Sequence, residues 1–191
     1  MTMFTSKSIC ITNRHLVRGD YIEQLKRVAA GGCDAIILRE KDLSETEYER
    51  LAEAVLSALE PYGTPCILHT YVDVALRLHV AGIHLPSAVL PDLPEEKKRF
   101  RRIGASVHSK EEARAASQAG ATYLIAGHVF ATDCKRGVPP RGLDFLREVC
   151  ESVSIPVYAI GGITPDNADS CIAAGAAGVC SMSGYMQTKK G

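Results

Sequence analysis

Short apolar runs alternate along the chain with segments whose apolar residues recur at helical spacing. Residues 8–12 (SICIT), 35–39 (AIILR), 65–69 (PCILH) and 82–86 (GIHLP) are short, nearly continuous apolar stretches bounded by Gly, Pro or polar residues. Residues 103–108, 122–127, 156–162 and 178–182 follow the same pattern in the second half. Runs of this length and enrichment read as strands. Between them, residues 21–32, 72–80, 143–153 and 165–176 carry apolar residues three and four apart, the period of an amphipathic helix. Ser44 with Glu47 fits a capping box opening a helix that runs to about Leu59, and Ser109 with Glu112 opens another. The charged stretch 94–101 is expected to form a helix with a solvated outer face.

Eight strands separated by helices imply a parallel sheet, and the lack of clean in–out alternation fits strands covered on both faces. The expected fold is therefore α/β, a (β/α)8 TIM barrel, with a doubly wound open sheet as the alternative. The whole chain, residues 1–191, reads as a single domain. After the eighth strand only Ser183-Gly184-Tyr185-Met186 and a short polar tail remain, so the final barrel helix is expected to be reduced or missing. Either one turn replaces it or a second copy of the chain covers the gap, and a homodimer is the expected oligomer.

Composition narrows the function. Acidic and basic side chains balance at 22 each, Trp is absent and no basic block appears, which disfavours nucleic acid as a partner. No apolar run approaches the roughly 20 residues of a membrane span, and no signal segment is recognised, so a cytoplasmic location is expected. Seven cysteines at irregular spacings, mostly within apolar stretches, read as small core residues of a reducing compartment.

In a parallel barrel the loops after the strands form the functional face. The strand ends supply Arg39, Lys41, His69, His84, Ser106, His108, His128 and the pairs Gly161-Gly162 and Met182-Ser183, with Lys135 in the long loop after strand six. Cations, imidazoles and glycines together suit a small anionic, phosphorylated ligand. Gly161, Gly162, Met182 and Ser183 occupy the strand seven and eight loops where this fold commonly binds phosphate. Arg39 and Lys41 could grip a carboxylate or phosphate, or could pair with Glu40, Asp42 or Glu45. His128 stands where a general acid or base would. A metal site of His69, His84, His108 and His128 is disfavoured because no acidic partner stands at the matching strand ends. Cys134 reads as a bystander thiol.

The strings Leu38-Arg39-Glu40-Lys41-Asp42, Ser106-Val107-His108-Ser109 with Glu111-Glu112-Ala113, and Ala159-Ile160-Gly161-Gly162-Ile163 occur in an order and spacing that resembles the thiamine-phosphate-synthase superfamily. Synthases of that superfamily hold magnesium and a diphosphate with acidic residues after strands three and four. Here those positions read His69-Thr70-Tyr71 and Leu85-Pro86-Ser87. Gly127-His128, in place of the synthases' Gly-Pro, and the string Thr132-Asp133-Cys134-Lys135 resemble the thiazole tautomerase (TenI-type) branch. That resemblance implies a cofactor-independent isomerase that aromatises a carboxythiazole phosphate in thiamine biosynthesis. It makes His128 the catalytic proton shuttle and Arg39, Lys41, Ser106, His108, Lys135, Gly161, Gly162, Met182 and Ser183 substrate contacts, with no metal. The alternatives are a thiamine phosphate synthase or a non-catalytic relative that binds thiazole phosphate.

Overall fold

The computed structural model describes residues 3, 7–95, 99–135 and 137–187. Eight parallel strands close into a barrel in sequential order. They are β1 (Ser8–Ile11), β2 (Ala35–Leu38), β3 (Cys66–His69), β4 (Gly82–Pro86), β5 (Arg102–Val107), β6 (Tyr123–Gly127), β7 (Val157–Ile160) and β8 (Gly178–Ser181). The ring is completed by β1 pairing with β8, Ile9 opposite Cys180. Closure excludes the open doubly wound sheet.

Helices α1 (Tyr21–Ala30), α2 (Glu45–Leu59), α3 (Val72–Arg77), α4 (Lys110–Gln118), α5 (Gly142–Ser152), α6 (Pro165–Ala173) and the single turn α7 (Ser183–Met186) follow their strands. The starts of α1, α2 and α4 are set by side chains that satisfy free N–H groups of the first turn. Asp20 accepts from the Glu23 N–H, Ser44 and Glu47 form the expected capping box, and Ser109 accepts from the Glu112 N–H.

Two apolar layers result. The larger packs the helices on the outside of the barrel and includes Leu25, Tyr48, Val55, Leu124, Leu146 and Val149. The smaller fills the barrel itself with Ile9, Ile11, Ala35, Ile37, Ile67, Tyr123, Ile125 and Cys180. Alternate residues of each strand face inward, so the interior is packed and only its upper end is free to bind.

The helix expected over 94–101 falls largely on residues 96–98, which lie outside the described residues; beside them Glu95 is in a 3-10 turn, and Arg99 and Phe100 are in neither helix nor strand. Leu90, Leu93 and Phe100 of the β4–β5 connection are buried in the larger apolar layer. At the C-terminal end, α7 is one turn, as one of the two alternatives required. Its Tyr185 and Met186 are buried, the Tyr185 hydroxyl donates to Ser8 Oγ at 2.8 Å, and Gln24 Nε2 of α1 donates to the Tyr185 carbonyl at 2.6 Å. Among the described residues no helix is long and apolar enough to cross a membrane.

Candidate active site

A cavity of about 440 Å³ opens at the C-terminal ends of the strands. Arg39, Lys41, Ser106, His108, His128, Lys135, Gly161, Gly162, Met182 and Ser183 all line it, so the structure brings every residue expected there onto one surface. His69 and His84 line it too.

The cations at the mouth owe their freedom to a clamp behind them. Glu40 turns away from the cavity and is buried. It accepts from the Thr12 hydroxyl (2.8 Å), the Arg14 N–H (3.0 Å), the Arg14 guanidinium (3.1 Å) and the Tyr21 hydroxyl (2.9 Å). Asp42 pairs with Arg14 and His15, which hold its carboxyl well below the usual carboxylate range. The acids that could have neutralised Arg39 and Lys41 are thus engaged elsewhere. Burial, with the nearby charges of Arg39 and Lys135, pushes the Lys41 ammonium below its ordinary pKa. Cations held close together without counter-charge favour an incoming anion.

Tyr48 of α2 joins the ends of two strands. Its hydroxyl donates to the Leu38 carbonyl at 2.6 Å and accepts from the His69 N–H at 2.8 Å. Arg39 and His69 thereby start from fixed main chain.

His128 follows β6 through a cis Gly127–His128 peptide. Its main chain is tied to β7 and to the entry of α5: Val129 N–H donates to the Ile160 carbonyl (2.8 Å), Phe130 N–H to Gly161 (3.0 Å), and Arg141 N–H to His128 itself (3.0 Å). A carbonyl can only accept, so the 3.3 Å contact from His128 Nε2 to the Val138 carbonyl puts a proton on Nε2. In the neutral ring Nδ1 then carries a lone pair, and it has no partner among the described residues. That nitrogen is the available base.

Gly161 and Gly162 have positive φ, 101° and 65°. A Cβ on Gly161 would stand 2.3 Å from the His128 Cβ, and one on Gly162 would stand 2.3 Å from the Ala131 carbonyl oxygen. Only glycine lets the β7 loop pass so close to the histidine. The hydrogen bonds among the described residues leave the N–H groups of Gly161, Gly162 and Ser183 unused. These N–H groups could serve an anion.

The sequence places His84 at a strand end and offers it as a disfavoured metal ligand, and it does not single out Tyr123. In the structure His84 is bonded on both ring nitrogens, Nδ1 to the Tyr123 hydroxyl (3.0 Å) and Nε2 to Ser106 Oγ (2.8 Å). Burial and the charges of Lys41 and Arg39 push its pKa down to about 3. His69 stacks on it at 5.5 Å and is pushed down to about 2, chiefly by burial. Both imidazoles are neutral at physiological pH. Among the described residues no cluster of three or more His, Cys, Asp or Glu side chains could hold a metal ion.

Fold and site define a (β/α)8-barrel protein with an anion-attracting, imidazole-lined mouth. The sequence matches the family described as "Thiamine monophosphate synthase" over residues 8–185, and the chain belongs to that family. "Putative thiamine-phosphate synthase 2" of Aquifex aeolicus is 34% identical over 93% of this chain and 96% of its own. A thiamine-phosphate synthase of Syntrophomonas wolfei is 34% identical over 92% and 86%. Among solved structures, thiamine phosphate pyrophosphorylase from Pyrococcus furiosus superposes with a TM-score of 0.84 at 34% identity, covering 96% of this chain and 88% of that one.

Proposed function

We propose that this barrel is a thiazole tautomerase of thiamine biosynthesis, isomerising a carboxythiazole phosphate to its aromatic form. One observation carries the reading: among the described residues the cavity is lined by three cations and four histidines, and no carboxylate is part of its lining. A synthase of this family needs magnesium, a hard ion that takes oxygen ligands, usually carboxylate with phosphate. The ends of β3 and β4 offer His69, Thr70, Pro86 and Ser87 instead, and the nearest buried acid, Glu40, is saturated by its own donors. The residues present do not fit that metal.

They do fit a proton transfer. The phosphate tail sits on the N–H groups of Gly161, Gly162 and Ser183, against Met182, and fixes the ring beneath His128. The substrate carboxylate lies toward Arg39, Lys41 and Lys135, with His108 at the rim. His128 Nδ1 takes the proton from the ring carbon that bears the carboxylate, and the imidazolium, once exchanged with solvent, delivers a proton to the exocyclic carbon. Aromatisation of the ring drives the step. The cations stabilise the negative charge that develops between the two transfers.

Conversion of carboxythiazole phosphate in D2O, followed by NMR, tests this. Deuterium enters the methylene beside the ring with the wild-type protein, and His128→Ala slows the reaction by about 10²-fold or more. The relatives' names favour a second reading, the synthase. Mg²⁺ with an aminopyrimidine diphosphate and thiazole phosphate would then yield thiamine phosphate and release pyrophosphate. Binding of carboxythiazole phosphate without turnover by either protein would leave a non-catalytic relative.

A further inference from the structure

The tautomerase reading assigns the base but leaves the β4–β5 wall of the cavity without a role. There β4, β5 and β6 bring His84, Ser106 and Tyr123 into one hydrogen-bonded row, on strands that neighbour one another in the ladder. The row is built into the barrel. A Cβ on Gly104 would lie 2.3 Å from the Tyr123 hydroxyl and 2.4 Å from His84 Nδ1, so a glycine is required where these two side chains meet. Tyr123 is further held edge-on by Tyr158, with ring centroids 6.0 Å apart.

The direction of the row follows from counting donors. His84 is neutral, so one ring nitrogen carries a proton and the other accepts. The Tyr123 hydroxyl is buried, and His84 Nδ1 is its one acceptor among the described residues. If Tyr123 accepted from Nδ1 instead, its own proton would be buried without a partner, which costs more than the bond returns. Tyr123 therefore donates to Nδ1. His84 Nε2–H then donates to Ser106 Oγ, and the Ser106 proton has no protein acceptor left among the described residues. Ser106 lines the cavity. The proton that remains is available to whatever occupies it.

We propose that His84 and Tyr123 are positioning residues whose buried hydrogen bonds make Ser106 an obligate donor to the bound substrate. On the tautomerase reading, on which the substrate's identity rests, Ser106 is the catalytic donor to the charge that builds on the substrate once His128 removes its proton. Donors chained in this way polarise one another, so the last hydroxyl binds a developing anion better than an isolated serine would. The row transfers no net proton. Supplying one would leave Tyr123 as a buried phenolate, and burial already holds its hydroxyl far above the ordinary range.

Two measurements test the inference. The first is ¹⁵N NMR of the histidine side chains in the ligand-free protein, which reads the tautomer without any substrate. The expected result is His84 protonated on Nε2 in the wild type, with a mixture of tautomers in Tyr123→Phe. A wild-type His84 protonated on Nδ1 would make Ser106 an acceptor and overturn the proposal. The second is the rate of carboxythiazole phosphate conversion. Ser106→Ala should lower kcat by about 10²-fold with KM little changed, and Tyr123→Phe by about tenfold. The double variant should be no slower than Ser106→Ala, because Tyr123 acts only through Ser106. Multiplied losses in the double variant would mean a merely structural tyrosine and would also overturn it. Where the wild type converts nothing, the tautomerase reading fails, yet the tautomer measurement still decides the direction of the row.

Discussion

At the scale of single residues, the site is governed by what lies immediately behind each functional group. Gly161 shows this most sharply, because its φ of 101° and the 2.3 Å separation between an added Cβ and the His128 Cβ leave no room for any side chain. Gly161→Ala should move His128 and the N–H groups beside it together. Destabilisation of about 1–3 kcal/mol is expected from the forced backbone alone. Loss of inorganic phosphate binding by calorimetry should accompany it, whereas an unchanged phosphate affinity would separate the glycine from the anion site. Lys41 gives a second residue-level prediction. Burial and its cationic neighbours lower its pKa in the free protein, and a bound anion must raise it again. Binding therefore takes up a proton at alkaline pH, and anion affinity falls as pH rises through the lysine's depressed pKa. Calorimetry of phosphate binding in buffers of different ionisation heat reads that uptake directly, and Lys41→Met should abolish it.

At the scale of elements, Tyr48 couples helix α2 to two strands. Removing its hydroxyl in Tyr48→Phe leaves the buried Leu38 carbonyl and His69 N–H without their shared partner. A loss of about 1–3 kcal/mol is expected for groups stranded in this way, to be read as a lowered urea midpoint with unchanged slope. Apolar periodicity locates these elements well: β4 matches its expected range of 82–86, and the other strands fall within about two residues of theirs. The mouth residues were legible because strand ends in a parallel barrel converge on one face whatever their sequence separation. Two arrangements were not. The Glu40 clamp joins Thr12, Arg14 and Tyr21 across two strand ends, and the Tyr123–His84–Ser106 row depends on the register of three strands and on the gap at Gly104. Neither leaves a local pattern in the chain.

At the scale of the whole molecule, the barrel interior carries an electrostatic cost that shows in its response to acid. His69 and His84 are buried, and their pKa values are pushed down to about 2 and about 3. In the unfolded chain both titrate near the ordinary histidine value of about 6.5. Below that pH the unfolded state binds protons that the folded barrel refuses, so the folded state loses ground as pH falls. The contribution is intact above about pH 6.5 and is lost progressively down to about pH 3. At pH 5 each histidine should have cost about 2 kcal/mol relative to pH 7.5. The surface carboxylates stabilised by Arg14, Ser44 and Arg77, namely Asp42, Glu47 and the half-buried Glu49, act in the same direction, since their pKa values are also depressed. Their loss begins only near the carboxylate range, about two units lower, so the onset distinguishes the two sources. Urea midpoints measured from pH 7.5 to 4.5 should therefore begin to fall near pH 6.5, and the slope over that range should roughly halve in His69→Gln. A midpoint that stays level to pH 5 would mean that the folded barrel accepts the protons after all. The neutral His84 that directs the Ser106 hydroxyl would then be lost at the same pH.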